Sequence, residues 1–380
     1  MPISDETSSL LRELATNAKL PFEQALGLPA AAYTSPGFAA LEAVGLFRKE
    51  WICIGRADDL PKTGDYVATD IAGVPVVTLR DKAKRIRSFS NVCLHRMMRL
   101  AEGRGNCGGR LACPYHAWTY NLQGRLIGAS HMEGTPGFRI EEHGLPEIRT
   151  ELWQGWIYAT LDPDAAPLAP RLEPLARAVE AYGMADYGRV LQQDEIWQTN
   201  WKCLAENYME DYHAPFVHRN SIGVYLDTEF SDGFEEGDAY HFHNFLRGET
   251  SPRGLAHPAN RRLEGRQRRV SVMICVYPAH VITLAPDHLW YLSLLPEATD
   301  RVRVRFGVSY APEFLAEVND WDGFVAGQKA VFDRINAEDR GALETLRRSL
   351  ASPMARPGRL SFLERFTYDL NRYLCRRLAA

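Results

Sequence analysis

The sequence predicts an α+β chain, a small all-β domain followed by a larger domain that mixes antiparallel strands with helices. Three observations carry that expectation. Short β-type runs bounded by turn residues fill roughly residues 51–162, and a Pro-rich break follows at Asp162-Pro163-Asp164-Ala165-Ala166-Pro167. Beyond it, longer helical and strand patterns succeed one another. The division that results is a helical segment at 1–45, packing on the larger domain, a first domain at 46–162 and a second at 163–380.

Taken in order, Leu10, Leu11 and Leu14 behind Ser8 and Ser9 predict a short amphipathic helix. A second helical pattern runs through Phe38, Leu41, Val44 and Phe47. Tyr66–Ala68, Val74–Leu79 and Ile86–Ser90 read as strands, with turns at Gly64-Asp65, Ala72-Gly73 and Arg80-Asp81-Lys82. Trp118–Tyr120 and Trp156–Leu161 extend the β pattern. Helical spacing resumes at Leu172–Tyr182, then a strand at Gly188–Asn200 leads into a helix starting near Lys202. Four β-type runs lie at about 236–247, 268–277, 280–286 and 289–296. A fifth, Val302–Tyr310, alternates Arg301, Arg303 and Arg305 with Val302, Val304 and Phe306, which predicts one wet face. The last seventy residues are mostly helix.

Composition narrows the function classes. The 380 residues carry 46% hydrophobic and 24% charged side chains, the balance of an ordinary globular protein of about two domains. A net charge of −4 gives no pull toward nucleic acid or an anionic membrane, so neither is expected as a partner. Seven cysteines, an odd and scattered set, make no disulfide framework and fit a reducing compartment. The first residues lack the basic and apolar regions of a signal peptide, and no run of about 18 apolar residues exists. A cytoplasmic protein is the expectation.

The stretch with most chemistry is Cys93-Leu94-His95, then seventeen residues, then Cys113-Pro114-Tyr115-His116. Two thiolates and two imidazoles on two loops are the ligand set of a Rieske [2Fe–2S] centre, in which two His replace two Cys on one iron. A structural Cys₂His₂ zinc site is the alternative, although zinc sites usually space their cysteines as C-x₂₋₄-C. Gly103, Gly105, Gly108, Gly109 and Pro114 suit loops whose N–H groups approach sulfur. Cys107 has no nearby His and reads as a bystander. Trp118 reads equally as a cover over the cluster or as an ordinary core aromatic.

Asn91-Val92-Cys93-Leu94-His95-Arg96, with Cys113-Pro114-Tyr115-His116-Ala117-Trp118-Thr119-Tyr120 and Gly124-Arg125-Leu126, resembles the Rieske domain of the Rieske non-haem iron oxygenases. It departs at Met97-Met98, where the family more often has small residues. The resemblance runs from about residue 40 to 350. It implies an N-terminal Rieske domain followed by a helix-grip catalytic domain, an antiparallel sheet plus helices, that holds a mononuclear Fe(II) by two His and one carboxylate. Glu206-Asn207-Tyr208-Met209-Glu210-Asp211-Tyr212-His213, then His218, matches that second centre. On a continuous helix His213 and His218 would point about 140° apart, so Pro215 is expected to stop the helix and let His218 swing back. The segment from Ile335 to Glu344 resembles the family's carboxylate helix and nominates Asp339 as third ligand. Asp339 also lies on the apolar stripe of Ile335, Ala342, Leu343, Leu346 and Leu350, where an unpaired carboxylate is costly. A salt bridge to Arg334 or Arg348 is the ordinary alternative, and Glu338, Asp320 and Asp322 are weaker ligand candidates.

In the family a carboxylate three residues before the first iron His passes electrons from the cluster of one subunit to the iron of its neighbour; here that residue is Glu210. Helical spacing puts Glu210, rather than Asp211, on the face of His213, with Asn207 and Glu206 a turn earlier as supporting candidates. A Glu at this place resembles the branch acting on carnitine, choline and betaines, whereas ring-hydroxylating members mostly carry Asp. The resemblance thus implies an oxygenase component that uses O2 and electrons from a separate NAD(P)H-dependent reductase with flavin and iron–sulfur groups, assembled as a homotrimer. Its substrate is a small molecule, a quaternary ammonium compound or, alternatively, an aromatic compound that is ring-hydroxylated or O-demethylated. Tyr208, Tyr212, Phe216, Tyr225, Phe242, Phe245, Tyr277, Trp290 and Tyr291 are the aromatics available for a cage, a flat wall or plain core. The basic run Arg261-Arg262 to Arg268-Arg269 reads as a solvated loop or a reductase-docking face. Outside enzymes, a Rieske-type electron carrier and a zinc-stabilised binding protein compete, and neither needs the His213/His218/Asp339 set.

Overall fold

A computed structural model describes residues 4–223, 231–247, 251 and 253–379. It divides into two compact units, Phe47–Leu168 and a second made of Met1–Leu46 with Ala169–Ala380.

In the Phe47–Leu168 unit, seven strands form one sheet in the spatial order Ile52–Arg56, Trp156–Thr160, Glu147–Trp153, Ile86–Ser90, Val74–Arg80, Asp65–Ile71 and Arg104–Asn106. All the pairs are antiparallel. The hairpin between Ile71 and Val74 turns through Ala72 and Gly73 at φ 45° and 79°, the primed geometry that matches strand twist. A second sheet of three short strands, Arg110–Ala112, Thr119–Asn121 and Leu126–Gly128, completes the unit. Val77, Leu79, Phe89, Leu111, Trp118, Tyr120, Leu122 and Leu126 form one buried cluster around Cys93 and Cys113.

The larger unit is built on a seven-stranded antiparallel sheet ordered Gly188–Trp197, Arg301–Tyr310, His288–Ala298, His280–Leu284, Val270–Val276, Tyr240–Leu246 and Ser231–Glu236. Val270–Val276 and His280–Leu284 are buried at every position, as strands covered on both faces must be. The β-type run expected at 236–247 is two strands, separated at Gly237, Asp238 and Ala239. The wet face expected of Val302–Tyr310 stops short: Arg305 is only 1% exposed, and its guanidinium is bidentate on Asp194 at 2.9 Å for both contacts. That pairing lets a charge lie where alternation alone predicted solvent.

Helices of this unit include α1 (Asp5–Asn17), α2 (Trp201–Tyr208), α3 (Ala214–Val217), α4 (Trp321–Leu350) and α5 (Arg365–Leu378). Ser4 caps α1, Asn200 caps α2, and Asp320 caps α4 by accepting from Gly323 N at 3.0 Å. On α4, Phe332, Ile335, Asp339 and Leu343 are buried, but Ala342 and Leu346 of the expected stripe are not. The basic loop is braced internally, with Arg268 donating to the carbonyls of Asn260 and Leu263 and Arg262 paired with Asp186. Asp369 on α5 holds Nδ1 of the buried His241 at 3.1 Å.

Helix α2 is tied to the N-terminal segment by a buried ion pair, Lys202 Nζ to Glu42 Oε1 at 2.7 Å, with side-chain exposures of 0% and 4%. Tyr33, Phe38 and Trp201 ring the ammonium at 5.0–5.8 Å. Glu42→Gln therefore strands a buried cation. It is expected to lower unfolding free energy by about 3–5 kcal/mol, measured by denaturant titration.

Candidate metal centres and active-site cavity

Residues Cys93–Trp118 present two loops of matched geometry. Cys93 N donates to Met98 O at 2.8 Å, and the Cys93 carbonyl accepts from Met97 N at 3.0 Å. Cys113 N donates to Trp118 O at 2.7 Å and Ala117 N returns to Cys113 O at 3.0 Å. Met97 and Ala117, the equivalent residues, both lie in the left-handed region at φ 58° and 57°. Each such non-glycine residue costs about 1 kcal/mol or more, so two in register mark a shape the loops are held to. The methionine departure at position 97 is accommodated because its side chain is 82% exposed.

The thiols of Cys93 and Cys113 are buried while His95 and His116 are exposed, their rings 4.6 Å apart between centroids. Trp118 stacks on His95 at 4.9 Å with 9° between planes, so it covers this site as well as filling the core. The Tyr120 hydroxyl lies 3.5 Å from Cys93 Sγ and accepts from Leu94 N at 3.0 Å; burial, then the cysteine, push its pKa up. Among the described residues the only set of three or more such donors within 4.8 Å of one another is His213, His218 and Asp339. A single tetrahedral zinc ion would treat the four donors alike. Buried sulfurs and outward imidazoles fit a two-iron cluster instead.

The second centre forms where α2 gives way to α3. Helix α2 ends at Tyr208, seven residues before Pro215, and Pro215 falls in the first turn of α3. Pro215 thus starts a helix, where its missing N–H is harmless, and does not end one as the sequence suggested. His213 is the N-cap and His218 the C-cap of this single turn, and their Nε2 atoms meet at 3.3 Å. Asp339 comes from α4, with Oδ1 3.1 Å from His218 Nε2 and 3.5 Å from His213 Nε2.

The other ring nitrogens are held by acids. His213 Nδ1 lies 2.6 Å from Glu210 Oε1, and His218 Nδ1 lies 2.9 Å from Glu338 Oε2. Because the helix has ended, Glu210 does not reach His213 along a helix face. It folds back over the turn, and its Oε2 accepts from the backbone N–H groups of Tyr212 and His213. Ser221 Oγ donates to Glu338 at 2.5 Å; burial raises the Glu338 pKa, but Ser221 and His218 outweigh it and hold the carboxyl below its ordinary value. Burial opposes a charge on either histidine, yet Glu210 and Asp339 push His213 up, and Asp339 and Glu338 push His218 up. Asn207 Nδ2 donates to Asp339 Oδ1 at 3.3 Å. Glu206 turns elsewhere: Tyr33 donates to both its oxygens at 2.8 and 3.0 Å, and burial drives its pKa up to about 8. Arg334 pairs with Glu338 at 3.7 Å and Arg348 donates to Thr345, so neither provides the salt bridge that was the ordinary alternative for Asp339.

These residues fit a metal ion. With both Nδ1–H groups donating to carboxylates, two Nε2 lone pairs and a carboxylate oxygen face each other, which repels unless a cation lies between them. An ion about 2.1 Å from each donor at right angles would set neighbouring donors about 3.0 Å apart, close to the 3.1–3.5 Å seen. Two His and one carboxylate on one side are the facial triad of non-haem Fe(II) sites.

A cavity of about 450 Å³ opens beside this triad. Of the candidate aromatics in the sequence, Tyr208, Phe245 and Trp290 line it. Tyr212 and Phe216 are exposed, Phe242, Tyr277 and Tyr291 are buried away from it, and Tyr225 lies outside the described residues. Phe332 of α4 joins the wall, an apolar residue one helical turn from Ile335 that periodicity marks as core without a role.

Fold and centres together define a two-domain protein, one domain with loops that suit a [2Fe–2S] cluster and one with a triad that suits a mononuclear iron. The family comparison agrees: residues 50–139 match the Rieske [2Fe-2S] domain and residues 184–380 match the ring hydroxylating alpha subunit (catalytic domain). The chain belongs to the ring-hydroxylating alpha subunit family, whose catalytic domain binds a mononuclear iron. It is 31% identical over 245 residues to the carnitine monooxygenase oxygenase subunit of Escherichia coli (strain K12), covering 59% of this chain and 66%, just under two thirds, of that protein. It is 26% identical over 378 residues to the chloroplastic choline monooxygenase of Arabidopsis thaliana, covering 95% and 84%. A quaternary ammonium Rieske monooxygenase, described for carnitine oxidation by gut microbiota and inter-subunit electron transfer, shares the fold with a TM-score of 0.80 at 21% identity, over 95% of this chain and 99% of that one.

Two outcomes are expected from the supporting hydrogen bonds. Glu338→Gln is expected to weaken iron binding by about 10- to 100-fold with the cluster retained, read by competition with a chelator. Tyr120→Phe removes a hydrogen bond to sulfur worth about 1 kcal/mol and is expected to lower the cluster potential by on the order of 40 mV in protein-film voltammetry.

Proposed function

We propose that the chain is the oxygenase component of a multicomponent system that takes electrons from a separate NAD(P)H-dependent reductase and hydroxylates a carbon attached to nitrogen in a quaternary ammonium compound. The observation that carries the reading is the His213/His218/Asp339 triad, with both imidazoles oriented from behind by carboxylates and a cavity in front. Bound Fe(II) supplies O2 activation at the positions the triad leaves open. The protein's own residues do the rest. His213, His218 and Asp339 hold the ion, Glu338 and Glu210 fix the imidazole tautomers, and Asn207 orients Asp339. Tyr208, Phe245, Trp290 and Phe332 keep bulk water from the reacting carbon and offer π faces to a cation.

Substrate class is supported by the Glu at position 210 and by relatives that act on carnitine and choline. Hydroxylation of an N-methyl carbon consumes O2, two electrons and two protons and releases water. The hemiaminal then loses formaldehyde and leaves the amine.

Electrons enter at Cys93, Cys113, His95 and His116 and leave through the exposed imidazoles toward Glu210 of a neighbouring subunit, in a trimer. Glu210 has capacity for that contact. A carboxylate offers about four acceptor positions, and three are engaged by His213 Nδ1, Tyr212 N and His213 N. One remains for an imidazole N–H.

Purified protein is expected to be red-brown with about three irons per chain; two would favour the electron carrier, and colourless zinc protein would end the iron reading. Quaternary amines should give NAD(P)H-coupled O2 uptake with formaldehyde, and aromatic acids should not. Glu210→Gln removes the same kind of Nδ1 support as Glu338→Gln and is compared at full iron occupancy; it should then keep the cluster and substrate binding yet lose turnover, and normal turnover with the native reductase would remove the proposed electron route.

A further inference from the structure

Three arginines line the cavity that holds the triad. Arg334 pairs with Glu338, but among the described residues Arg247 and Arg253 have no such partner, and they do not belong to the metal centre. Arg247 follows the strand Tyr240–Leu246, and its Nε donates to Ser271 Oγ at 3.2 Å while the guanidinium sits 5.1 Å over the Phe245 ring. Arg253 donates from Nη1 to Gln328 Oε1 at 2.8 Å and to the Tyr310 hydroxyl at 3.4 Å. All these partners are uncharged. Among the described residues, no carboxylate lies within 4.0 Å of either guanidinium.

The acids that act on Arg247 through space are already committed. Asp287 accepts from His288 Nδ1 at 2.7 Å and from Gly254 N at 3.0 Å, and Asp211 accepts from Ser231 Oγ at 2.7 Å. Burial pulls the Arg247 pKa down, with Asp287 and Asp211 opposing it only in part. The backbone is shaped around this side chain: Gly254 sits at φ +77°, and a Cβ there would lie 2.8 Å from Arg247 Nε and 3.0 Å from its Cγ. Both arginines are half-buried, and a guanidinium drawn partly out of water with no carboxylate beside it is left uncompensated. Its planar fork is suited to a carboxylate in particular. Phe245, Met273, Trp290, Phe332 and Ile335 provide the apolar wall of the same cavity.

We propose that Arg247 and Arg253 form an anion subsite, and that the molecule oxidised at the triad carries a carboxylate bound there. This rests on the oxygenase reading, and within it the substrate is a betaine-type zwitterion and not a quaternary ammonium alcohol. A cation without a carboxylate, such as choline, would enter a cavity whose two guanidinium charges it leaves uncompensated.

The test is equilibrium binding to the holoprotein, by calorimetry without reductase, for two matched pairs. One pair is γ-butyrobetaine and its methyl ester; the other is benzoate and benzamide. The acid of at least one pair is expected to bind roughly 10- to 100-fold tighter than its neutral-headed partner. Arg247→Met and Arg253→Met should each erase most of that preference and change ester or amide binding by less than about threefold. Arg247→Lys, which keeps the charge and loses the fork, should fall between, and iron content and melting temperature should hold in all three. Absence in both pairs of an acid preference that depends on these arginines overturns the proposal. If only the benzoate pair shows it, the subsite stands and the quaternary ammonium reading falls. If neither pair shows it and, once reductase is added, γ-butyrobetaine and its ester both release formaldehyde, the subsite falls and the quaternary ammonium reading stands.

Discussion

The second centre depends on one constraint: the two histidines must present Nε2, and not Nδ1, to the same point. Glu210 and Glu338 impose it by accepting from the two Nδ1 positions. The local structure is arranged to deliver those two acceptors. α2 ends early so that Glu210 can fold over the next turn, α3 is one turn long so that a His leaves from each end, and α4 brings Glu338 and Asp339 on adjacent residues. Three carboxylates around two imidazoles make a site that is stable only with added positive charge. Protons supply some of it, as the raised histidine pKa values show, and a divalent ion supplies it better because it satisfies the facing Nε2 lone pairs as well.

The cluster loops solve a related problem by repetition. The same pair of backbone hydrogen bonds and the same left-handed residue recur at Cys93–Met98 and Cys113–Trp118. Each loop thereby buries its cysteine and exposes its histidine. Sulfur is kept from water and near the Tyr120 hydroxyl, while the imidazoles of His95 and His116 stay on the surface. A structural zinc site has no use for that asymmetry.

Much of this is legible in the residues, and the failures are physical. The Cys/His loops stand out because their donors are close in sequence at a spacing that zinc sites seldom use. Asp339 is legible as an acid on an apolar helix face. Glu210 is the right residue for a different reason: spacing predicts a shared helix face, and the structure uses a reverse turn. Pro215 misleads because proline terminates a helix or begins one, and only the end of α2 at Tyr208 decides which. Glu338 reads as a weak ligand candidate, and its orienting role depends on where His218 turns its Nδ1. The neighbour of a ligand carboxylate on a helix is the available signal. The wet face of Val302–Tyr310 fails because Asp194, more than a hundred residues away, neutralises Arg305. Phe332, Arg247 and Arg253 meet in the cavity from separate segments, and no local pattern announces that.

The cavity is therefore lined by charge of both signs. At the triad, carboxylates outnumber cations until a metal ion is present; Arg247 and Arg253 have no carboxylate within 4.0 Å among the described residues. A low-dielectric space magnifies both imbalances, since Coulomb energies there exceed their aqueous values several-fold. Two such charges placed at opposite needs orient a bound molecule more firmly than an aromatic wall can, because the wall gives attraction without direction. On the proposed reading, a ligand with a negative head is held there so that its far end faces the triad. That is what regioselective C–H oxidation needs: a reacting carbon held by a contact that does not itself react. The aromatic residues Tyr208, Trp290 and Phe332 supply desolvation, and the arginines supply the orientation.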